Sequence, residues 1–222
     1  SLQENEMLAL AAILVLSYLV GAIPFGIIVS KRKGVDIKSH GSGNTGGTNV
    51  FRTLGPKYGL TVIALDTLKG VVAVVFITQL YYLNPVVLNN RTPFEDITII
   101  RIMAGIFAII GHIWSVFASF KGGKGIATAL GMMLSITTVD MLVALGIFII
   151  FVGIFKYVSL GSIMAAIAVP TTLFVRQNIF HAEVQGYGTL LPFVAGVSIL
   201  LIYTHRSNIK RLLTGSENKI SF

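Results

Sequence analysis

The sequence contains no cysteine and few charged residues. Asp, Glu, Lys and Arg make up 12% of its 222 residues, about half the usual share of a soluble domain. The missing cysteine excludes disulfides, thiol nucleophiles and thiolate metal sites. Disorder is excluded because 54% of the residues are hydrophobic, and the 23 glycines follow no collagen-like triplet period. The composition therefore indicates a polytopic membrane protein.

The hydrophobic runs predict an all-α protein with seven transmembrane helices in a single domain, residues 1–222. A helical span needs about 20 apolar residues. The predicted spans are 7–29, 56–82, 96–117, 126–137, 139–155, 159–175 and 188–203. The fourth run is short for a crossing, and we expect it to begin within the shelter of the preceding loop.

The distribution of basic residues predicts the orientation. The predicted inner segments hold 13 of the 17 Lys and Arg residues, and the outer side or its span edges hold three. Cytoplasmic loops are enriched in Lys and Arg, so we expect the N-terminus outside and the C-terminus in the cytoplasm. The acidic start lacks the basic flank of a signal peptide, which predicts that the first run is retained. Anionic lipids or phosphorylated substrates, and not nucleic acid, are the expected partners.

A glycine-rich inner segment, residues 40–52, is the first candidate phosphate site. Its glycines can turn backbone N–H groups toward an anion, its polar side chains add donors, and Arg52 can offer a bidentate fork. The alternative is a flexible inner loop. The candidate residues are Ser42, Gly43, Asn44, Gly46, Thr48, Asn49 and Arg52.

A basic glycine loop after the third span is the second candidate. Its glycines allow close approach to a phosphate, and its lysines supply point charges. It is not a Walker A loop, because Ala118 and Gly125 stand where that motif needs Gly and Ser or Thr. The alternative is that the lysines only mark the inner side. The candidates are Lys121, Gly122, Gly123, Lys124 and Gly125, with His112 upstream.

The basic tail and one charged pair complete the candidates. In the tail, a helical turn places His205 and Asn208 on one face, although a basic amphipathic helix lying on anionic lipid would look similar. Asp66 and Lys69 share a face of the second span, and their cost in a bilayer predicts a pair facing the bundle interior. This pair could be structural or could hold the site. The His and acidic residues show no metal-ligand spacing.

Taken together, these segments resemble the bacterial acyl-phosphate-dependent glycerol-3-phosphate acyltransferases. The resemblance lies in three motifs that occur in the family's order and spacing and extend over nearly the whole chain. Asp66-x-x-Lys69-Gly70 and Ser159-Leu160-Gly161-Ser162 are also similar to the family's pattern. Two residues depart from it: Gly47 replaces a usual Ala, and Ser115 a usual Pro. The motifs are Ser42-Gly43-Asn44-x-Gly-x-Thr48-Asn49-x-x-Arg52, Gly111-His112 with Phe120–Gly125, and His205-x-x-Asn208 through Glu217.

The resemblance implies a seven-helix enzyme of the bacterial inner membrane with its active site on the cytoplasmic side. Such an enzyme transfers a fatty acyl group from acyl phosphate to the 1-hydroxyl of glycerol 3-phosphate, which yields lysophosphatidic acid and phosphate and opens phospholipid synthesis. It implies activity roles for Ser42, Arg52, His205 and Asn208, and it needs no cofactor or metal. The glycine–lysine loop would bind glycerol 3-phosphate. The supporting residues are Asp66, Lys69, His112, Ser159, Ser162 and a mainly structural Glu217.

Both implied substrates carry phosphate, which fits two basic glycine segments. No Ser-His-Asp arrangement can be read from the spacing, so we expect direct attack without an acyl-enzyme, with a substrate phosphate oxygen taking the proton. Which loop binds which phosphate stays open, and a monomer is compatible with the sequence. The rival interpretations are a small membrane anion or phosphate transporter and a non-catalytic lipid-binding scaffold. Transporters usually show inverted repeats, whereas the unusual residues here lie on one predicted side.

Overall fold

A computed structural model describes residues 2–83, 93–184 and 186–220, with side chains from residue 7 onward. The described residues contain only helices, turns and loops. They form two packing units, the first with the described residues up to 83 and from 95 to 136, the second with those from 137 onward and residues 93–94. The single domain expected from the sequence stays a prediction. Part of the predicted outer loop, 84–92, lies outside the described residues.

Six helical segments are long and apolar enough to cross a membrane, judged by length and composition over the described residues. Most predicted spans are confirmed within a few residues. The seven-helix count and the orientation of the termini stay predictions. The six segments are Met7–Lys31, Pro56–Leu83, Asp96–Ala118, Thr138–Phe155, Val158–Asn178 and Tyr187–Thr204.

The first unit contains seven α-helices. Among them, α4 continues through a π-helical turn, Val72–Phe76, and a 3₁₀ turn, Ile77–Gln79, before α5 begins. The helices are α1 (Leu2–Ala22), α2 (Phe25–Lys31), α3 (Gly47–Leu54), α4 (Pro56–Val71), α5 (Leu80–Leu83), α6 (Asp96–Ile113) and α7 (Ile126–Ile136).

Three of these elements differ from the sequence prediction. The span predicted over 7–29 is broken between α1 and α2, because Pro24 lacks an N–H group and disfavours helix in the residue before it. The predicted loop between the first two spans contains α3. The fourth predicted span, 126–137, is the 11-residue helix α7, about 16 Å long at 1.5 Å per residue and shorter than the hydrocarbon core of about 30 Å.

Glycines allow the helices of the first unit to approach closely. A Cβ on Gly21 of α1 would collide with the carbonyl of Ala108 in α6, and one on Gly111 of α6 would collide with that of Tyr18. Small residues are the usual means by which membrane helices bring their backbones together. The α1–α6 contact therefore holds the break after α1 against the end of α6.

The second unit contains α8 (Thr138–Phe155), α9 (Val158–Asn178), α10 (Tyr187–Thr204) and α11 (Arg206–Leu213). Lys156 closes α8 in the left-handed conformation, with φ of 63°, and its backbone N–H donates to Val152. At the other end of α8 and α9, Asp140 and Arg176 form a 2.7 Å ion pair. The tail returns to the α8–α9 turn, where the N–H of Ile220 donates to the carbonyl of Lys156 over 2.8 Å.

Candidate active site

The side chain of Asn49 organises the first glycine-rich segment. It lies in the first unit near the start of α3, only 2% exposed. Its Nδ2 faces the carbonyl oxygens of Ile37, His40 and Asn44 at 3.2, 2.9 and 2.9 Å, and its Oδ1 accepts the N–H of Ser42 at 3.0 Å. These partners use both amide hydrogens and the amide oxygen. Asn49 therefore shapes the segment from within, and the phosphate-binding role expected for its side chain does not fit this geometry.

Gly41 meets a related requirement in the same segment. Its φ is +59°, and a Cβ at this position would collide with Oδ1 of Asn49. Glycine adopts this left-handed conformation without the steric cost that a side chain brings. The glycine thus permits the turn that carries the chain past the Asn49 amide to Ser42, which is exposed.

The backbone N–H groups that were expected to face an anion are largely used within the protein. In the first segment, Gly43 donates to His40 and Gly46 to Oδ1 of Asn44. In the second loop, Gly122 donates to Ile113 and Gly123 to His112, each over 3.0 Å. Backbone N–H groups that are shielded from water almost always have a hydrogen-bond partner. The expectation of N–H cradles does not hold for these four groups, and the phosphate contacts of the two segments stay a prediction.

The structure brings the first and second motifs together within the first unit. Nζ of Lys38 donates to the carbonyl of Ala118 over 3.2 Å, which ties the chain before the first motif to the second loop. A small pocket is lined by the α1–α2 break, Thr45, Asp66, the end of α6 and the pair Gly122-Gly123. This pairing of the two segments could not be read from spacing alone.

Two residues at the start of the second loop adopt left-handed backbone. Ser119 and Phe120 have φ of 56° and 57°, a conformation that is uncommon for non-glycine residues and clusters at functional sites. Their turn brings Lys121 and Lys124 round beyond the end of α6, with Lys121 exposed and Lys124 half-buried. Gly125, also predicted here, has φ of +85° and precedes α7.

A buried charged cluster stands beside this pocket. Nζ of Lys69 lies 2.7 Å from Oδ1 of Asp66, which confirms the predicted pair. It also lies 3.1 Å from Nδ1 of His112, 43 residues further along the chain. The exposed fractions are 2% for Asp66, 3% for Lys69 and 8% for His112. Sequence reasoning did not join His112 to the pair, because helix packing and not spacing brings α4 and α6 together.

The same cluster supplies hydrogen-bond donors to the carbonyl groups at the C-terminal end of α1. Lys69 donates to the carbonyl oxygens of Gly21 at 3.0 Å and Ile23 at 2.8 Å. The hydroxyl of Ser115, which is 1% exposed, donates to the carbonyl of Ala22. The last carbonyls of a helix have no partner within that helix, and Pro24 offers no N–H group in return. The departure from the family pattern at position 115 thus supplies a hydrogen bond that a proline could not make.

In the second unit, the carboxylate of Glu217 gathers the third motif. Its Oε1 accepts from Asn208 Nδ2 at 2.8 Å and from the Ser159 hydroxyl at 3.0 Å, and its Oε2 accepts from Arg211 Nε at 2.7 Å. Burial raises the pKa of Glu217, but hydrogen bonds from Asn208, Arg211 and Ser159 outweigh it, and the pKa lies below its usual value. Glu217 therefore binds the tail to α9 as a carboxylate and orients the Asn208 amide.

His205 has a defined hydrogen-bonding direction. Its Nδ1 lies 2.8 Å from the carbonyl oxygen of Leu201, one helical turn back in α10. A carbonyl only accepts, so Nδ1 carries a hydrogen, and in the neutral ring Nε2 is an acceptor. Ser162, in contrast, donates to the carbonyl of Val158 one turn back in its own helix.

The candidate residues thus divide between the two units. The first and second motifs with Asp66, Lys69 and His112 belong to the first, and His205, Asn208, Ser159, Ser162 and Glu217 to the second. That all of them form one pocket stays a prediction. Over the described residues, no group of three His, Asp or Glu side chains could hold a metal ion.

Apolar helices, a buried ionic cluster and two basic loops define an integral membrane protein with a polar site at helix ends. A family model described as glycerol-3-phosphate acyltransferase matches residues 11–215. The chain belongs to this family, which confirms the resemblance seen in the motifs.

Similar proteins extend over nearly the whole chain. The glycerol-3-phosphate acyltransferases of Chlorobium phaeobacteroides (strain DSM 266) and Chlorobaculum tepidum are 47% and 43% identical, with 97% of this chain and 98% of each relative covered. Two crystal structures of PlsY (YgiH), an integral membrane glycerol 3-phosphate acyltransferase, superpose with TM-scores of 0.78 and 0.76 at 36% identity. They are a glycerol 3-phosphate form and a lysophosphatidic acid form, and they cover 96% of this chain and 96% and 95% of their own.

Proposed function

We propose that this protein transfers a fatty acyl group from acyl phosphate to the 1-hydroxyl of glycerol 3-phosphate, the first step of phospholipid synthesis. The observation that carries the proposal is the family match over residues 11–215. The similar PlsY structures are forms with glycerol 3-phosphate and lysophosphatidic acid, which are the acceptor and the product of this reaction. Acyl phosphate as the donor rests on the motif resemblance.

The proposal places the enzyme in the bacterial inner membrane with seven helices, the N-terminus outside and the active site on the cytoplasmic side, and it is compatible with a monomer. The excess of Lys and Arg in the predicted inner segments supports this orientation. The site then meets a lipid-soluble donor and a water-soluble acceptor at one interface, and neither substrate has to cross the bilayer.

Charged side chains bind the phosphates in this mechanism. Arg52 lies in the last turn of α3 and can take a phosphate with its bidentate fork. Lys121 and Lys124 lie on the loop that packs against α6 and act as point charges. Ser42, exposed at the turn fixed by Asn49, adds a hydroxyl donor. Arg52, Lys121 and Lys124 carry the positive charges that offset the phosphate charge, and they supply donors where the loop N–H groups are already bonded.

The third motif orients the acceptor alcohol. Nε2 of His205 accepts a hydrogen bond from the glycerol 3-phosphate hydroxyl and so orients it. The Asn208 amide, held by Glu217, positions the glycerol backbone. The hydroxyl oxygen attacks the acyl carbonyl carbon, the bond from that carbon to the phosphate oxygen breaks, and phosphate leaves. The proton passes to a phosphate oxygen. Positioning and charge stabilisation supply most of the catalysis, because phosphate is a good leaving group.

The test mixes purified protein with acyl phosphate and glycerol 3-phosphate. Lysophosphatidic acid and phosphate should appear in equal amounts, and no phosphate should be released when the acceptor is omitted. A burst of phosphate without acceptor, or a trapped acyl-Ser42, would contradict direct transfer. A phosphate transporter or a lipid-binding scaffold would form no lysophosphatidic acid.

Variants test the assignment of residues. Arg52→Ala and Lys124→Ala should each lower kcat/KM by about 100-fold or more, whereas Lys57→Ala removes an exposed inner-segment lysine and should change it less than about threefold. Residues that act in one step give non-additive losses, so Arg52→Ala combined with Asn208→Ala should cost much less than the product of the single losses. Fully multiplicative losses would mean that the two motifs act independently of each other.

A further inference from the structure

The two ring nitrogens of His112 lie in different environments. Nδ1 lies 3.1 Å from Nζ of Lys69. The Nε2 edge lies against Gly123, where any Cβ would collide with Nε2, and the N–H of Gly123 donates to the backbone carbonyl of His112. Within the described residues Nε2 has no hydrogen-bond partner, although the residue is only 8% exposed and lines the small pocket described above.

A count of hydrogens on Lys69 decides which nitrogen of His112 is protonated. Nζ has three hydrogen-bond partners, the carbonyls of Gly21 and Ile23 at 3.0 and 2.8 Å and Nδ1 of His112 at 3.1 Å. Oδ1 of Asp66, 2.7 Å away, is its counter-ion. An ammonium group has three hydrogens and no lone pair. It matches this environment, and it can only donate toward His112. Nδ1 must then be the unprotonated nitrogen, and the hydrogen of the neutral ring lies on Nε2.

Among the residues that the structure describes, Asp66 is the competing partner for a hydrogen on Nδ1. Its Oδ1 lies 3.7 Å from Nδ1, which is too long for a hydrogen bond, and its charge is already engaged by Lys69 at 2.7 Å. Lys69 therefore separates the carboxylate from the imidazole. The nearby Phe25 ring, 5.4 Å from Nζ, adds a favourable contact for the ammonium form.

We propose that Lys69 is a positioning residue that fixes His112 as the Nε2–H tautomer, and that this N–H donates to a phosphoryl oxygen of a substrate in the pocket. The proposal rests on the proposed function for its ligand. A phosphoryl oxygen fits because Gly122 and Gly123 line the same pocket and stand between Lys121 and Lys124 in the sequence. A pre-oriented donor in a site shielded from water is also worth more than one in solution. Lys69, already bonded to two carbonyls, serves the site through His112.

Nitrogen-15 NMR of the full chain in lipid nanodiscs tests the tautomer without any need for activity. The chain has four histidines, and the signal missing in His112→Gln assigns His112. We expect the two-bond couplings to identify Nδ1 as unprotonated and Nε2 as protonated. In Lys69→Met the donor is lost and Asp66 becomes the nearest acceptor, so the tautomer should invert to Nδ1–H. Lys69→Arg, which keeps a cationic donor, should retain the wild-type pattern.

The same NMR measurement is repeated with inorganic phosphate and with glycerol 3-phosphate as added ligands. Addition of either should shift the Nε2–H resonance of His112 with saturation, and Lys69→Met should lose this response. A wild-type ring protonated on Nδ1, an unchanged tautomer in folded Lys69→Met, or an unresponsive Nε2–H would each overturn the proposal. If Lys69→Met does not fold, the wild-type tautomer and the phosphate titration still decide.

Kinetics separate the donor role from a packing role. Gln at position 112 can accept from Lys69 through Oε1 and donate through Nε2, whereas Phe keeps a planar ring and donates nothing. His112→Phe should lower kcat/KM by about 10- to 100-fold, the size of one charge-assisted hydrogen bond, and His112→Gln should recover most of it. Equal losses in both variants would mean that only ring packing matters.

The two proposals fail in distinguishable ways. If the wild-type protein forms no lysophosphatidic acid but shows the expected tautomer and phosphate response, the acyl transfer is wrong and the histidine donor stands. If acyl transfer is observed but His112→Phe is as active as the wild type, the family reaction stands and the role of His112 is wrong.

Discussion

At the scale of single residues, the side-chain amide of Asn49 holds together a loop segment much larger than itself. It connects three carbonyls and one N–H group from residues 37 to 44. The exposed Ser42 depends on this amide for the course of its backbone. Polar networks of this kind stabilise one conformation only while every partner is satisfied.

Asn49→Asp is therefore expected to be severe although the two side chains have the same shape. The aspartate keeps the acceptor for Ser42 but brings an oxygen against the three carbonyls. We expect an apparent loss of about 2–4 kcal/mol in unfolding free energy and a fall of at least 100-fold in acyl transfer, measured by thermal unfolding in detergent and by product formation.

Asn44→Asp is the matched control for stability, because the acceptor that Gly46 uses is preserved. Its midpoint of unfolding should stay close to that of the wild type. An Asn49→Asp protein as stable as Asn44→Asp would show that the buried amide does not organise the segment.

A second prediction at the residue scale concerns the pH dependence of the stability that Glu217 contributes. Its pKa is lowered in the folded protein, so its contribution to stability is present at pH values above its ordinary pKa. That contribution is lost as the pH falls through the lower, folded-state value. Glu217→Gln removes the charge that pairs with Arg211 and should cost about 1–3 kcal/mol at neutral pH.

Unfolding of both proteins measured from neutral to acid pH tests this linkage. The gap between wild type and Glu217→Gln should narrow as the pH decreases, whereas the exposed Glu183→Gln should match the wild type throughout. A gap that is constant with pH would mean that the shape of the side chain, and not its charge, holds the tail.

At the scale of elements, α4 and α7 meet through two glycines. A Cβ on Gly70 would collide with the carbonyl of Thr128, and one on Gly131 with the carbonyl of Thr67. Backbone atoms cannot move aside as side chains do. This contact positions α4, and with it Asp66 and Lys69, relative to the helix that follows the basic glycine loop.

Gly131→Ala is therefore expected to destabilise the protein by about 1–3 kcal/mol through overpacking. The matched control is Gly146→Ala in α8, where a Cβ would have nothing within 4 Å and alanine should be neutral or stabilising by up to about 1 kcal/mol. Thermal unfolding in one detergent compares the two. Similar midpoints for both variants would show that α4 and α7 are not in such close contact.

A comparison of the predicted and observed helices shows what the sequence patterns can and cannot predict. Long apolar runs such as Thr138–Phe155 were predicted within a residue or two, because length and hydropathy suffice when lipid surrounds a helix. The helix α3 was missed, because its many glycine, threonine and asparagine residues favour loops. The pairing of Asp66 with Lys69 followed from helical spacing. The contact of Lys69 with His112 did not, because it depends on how α4 and α6 pack.

At the scale of the whole molecule, the charge asymmetry makes a prediction about the membrane. Thirteen of the 17 basic residues lie in the segments predicted to be inside, and these segments contain the phosphate-binding candidates. One excess of positive charge therefore serves two physical purposes. We expect it to fix the orientation during insertion and to attract anionic substrates to the face where the basic loops are predicted to lie.

The natural absence of cysteine makes this orientation directly measurable. Glu183→Cys and Ser216→Cys each introduce one thiol at an exposed position, the first in the predicted outer segment and the second in the predicted inner tail. In intact cells whose outer membrane has been made permeable, a membrane-impermeant maleimide should label position 183 and leave 216 unlabelled. After lysis both should react, and the cysteine-free parent should not. Labelling of 216 but not 183 in intact cells would invert the topology. Phosphorylated substrates from the cytoplasm would then have to cross the bilayer to reach the tail motif, which contradicts a cytoplasmic active site.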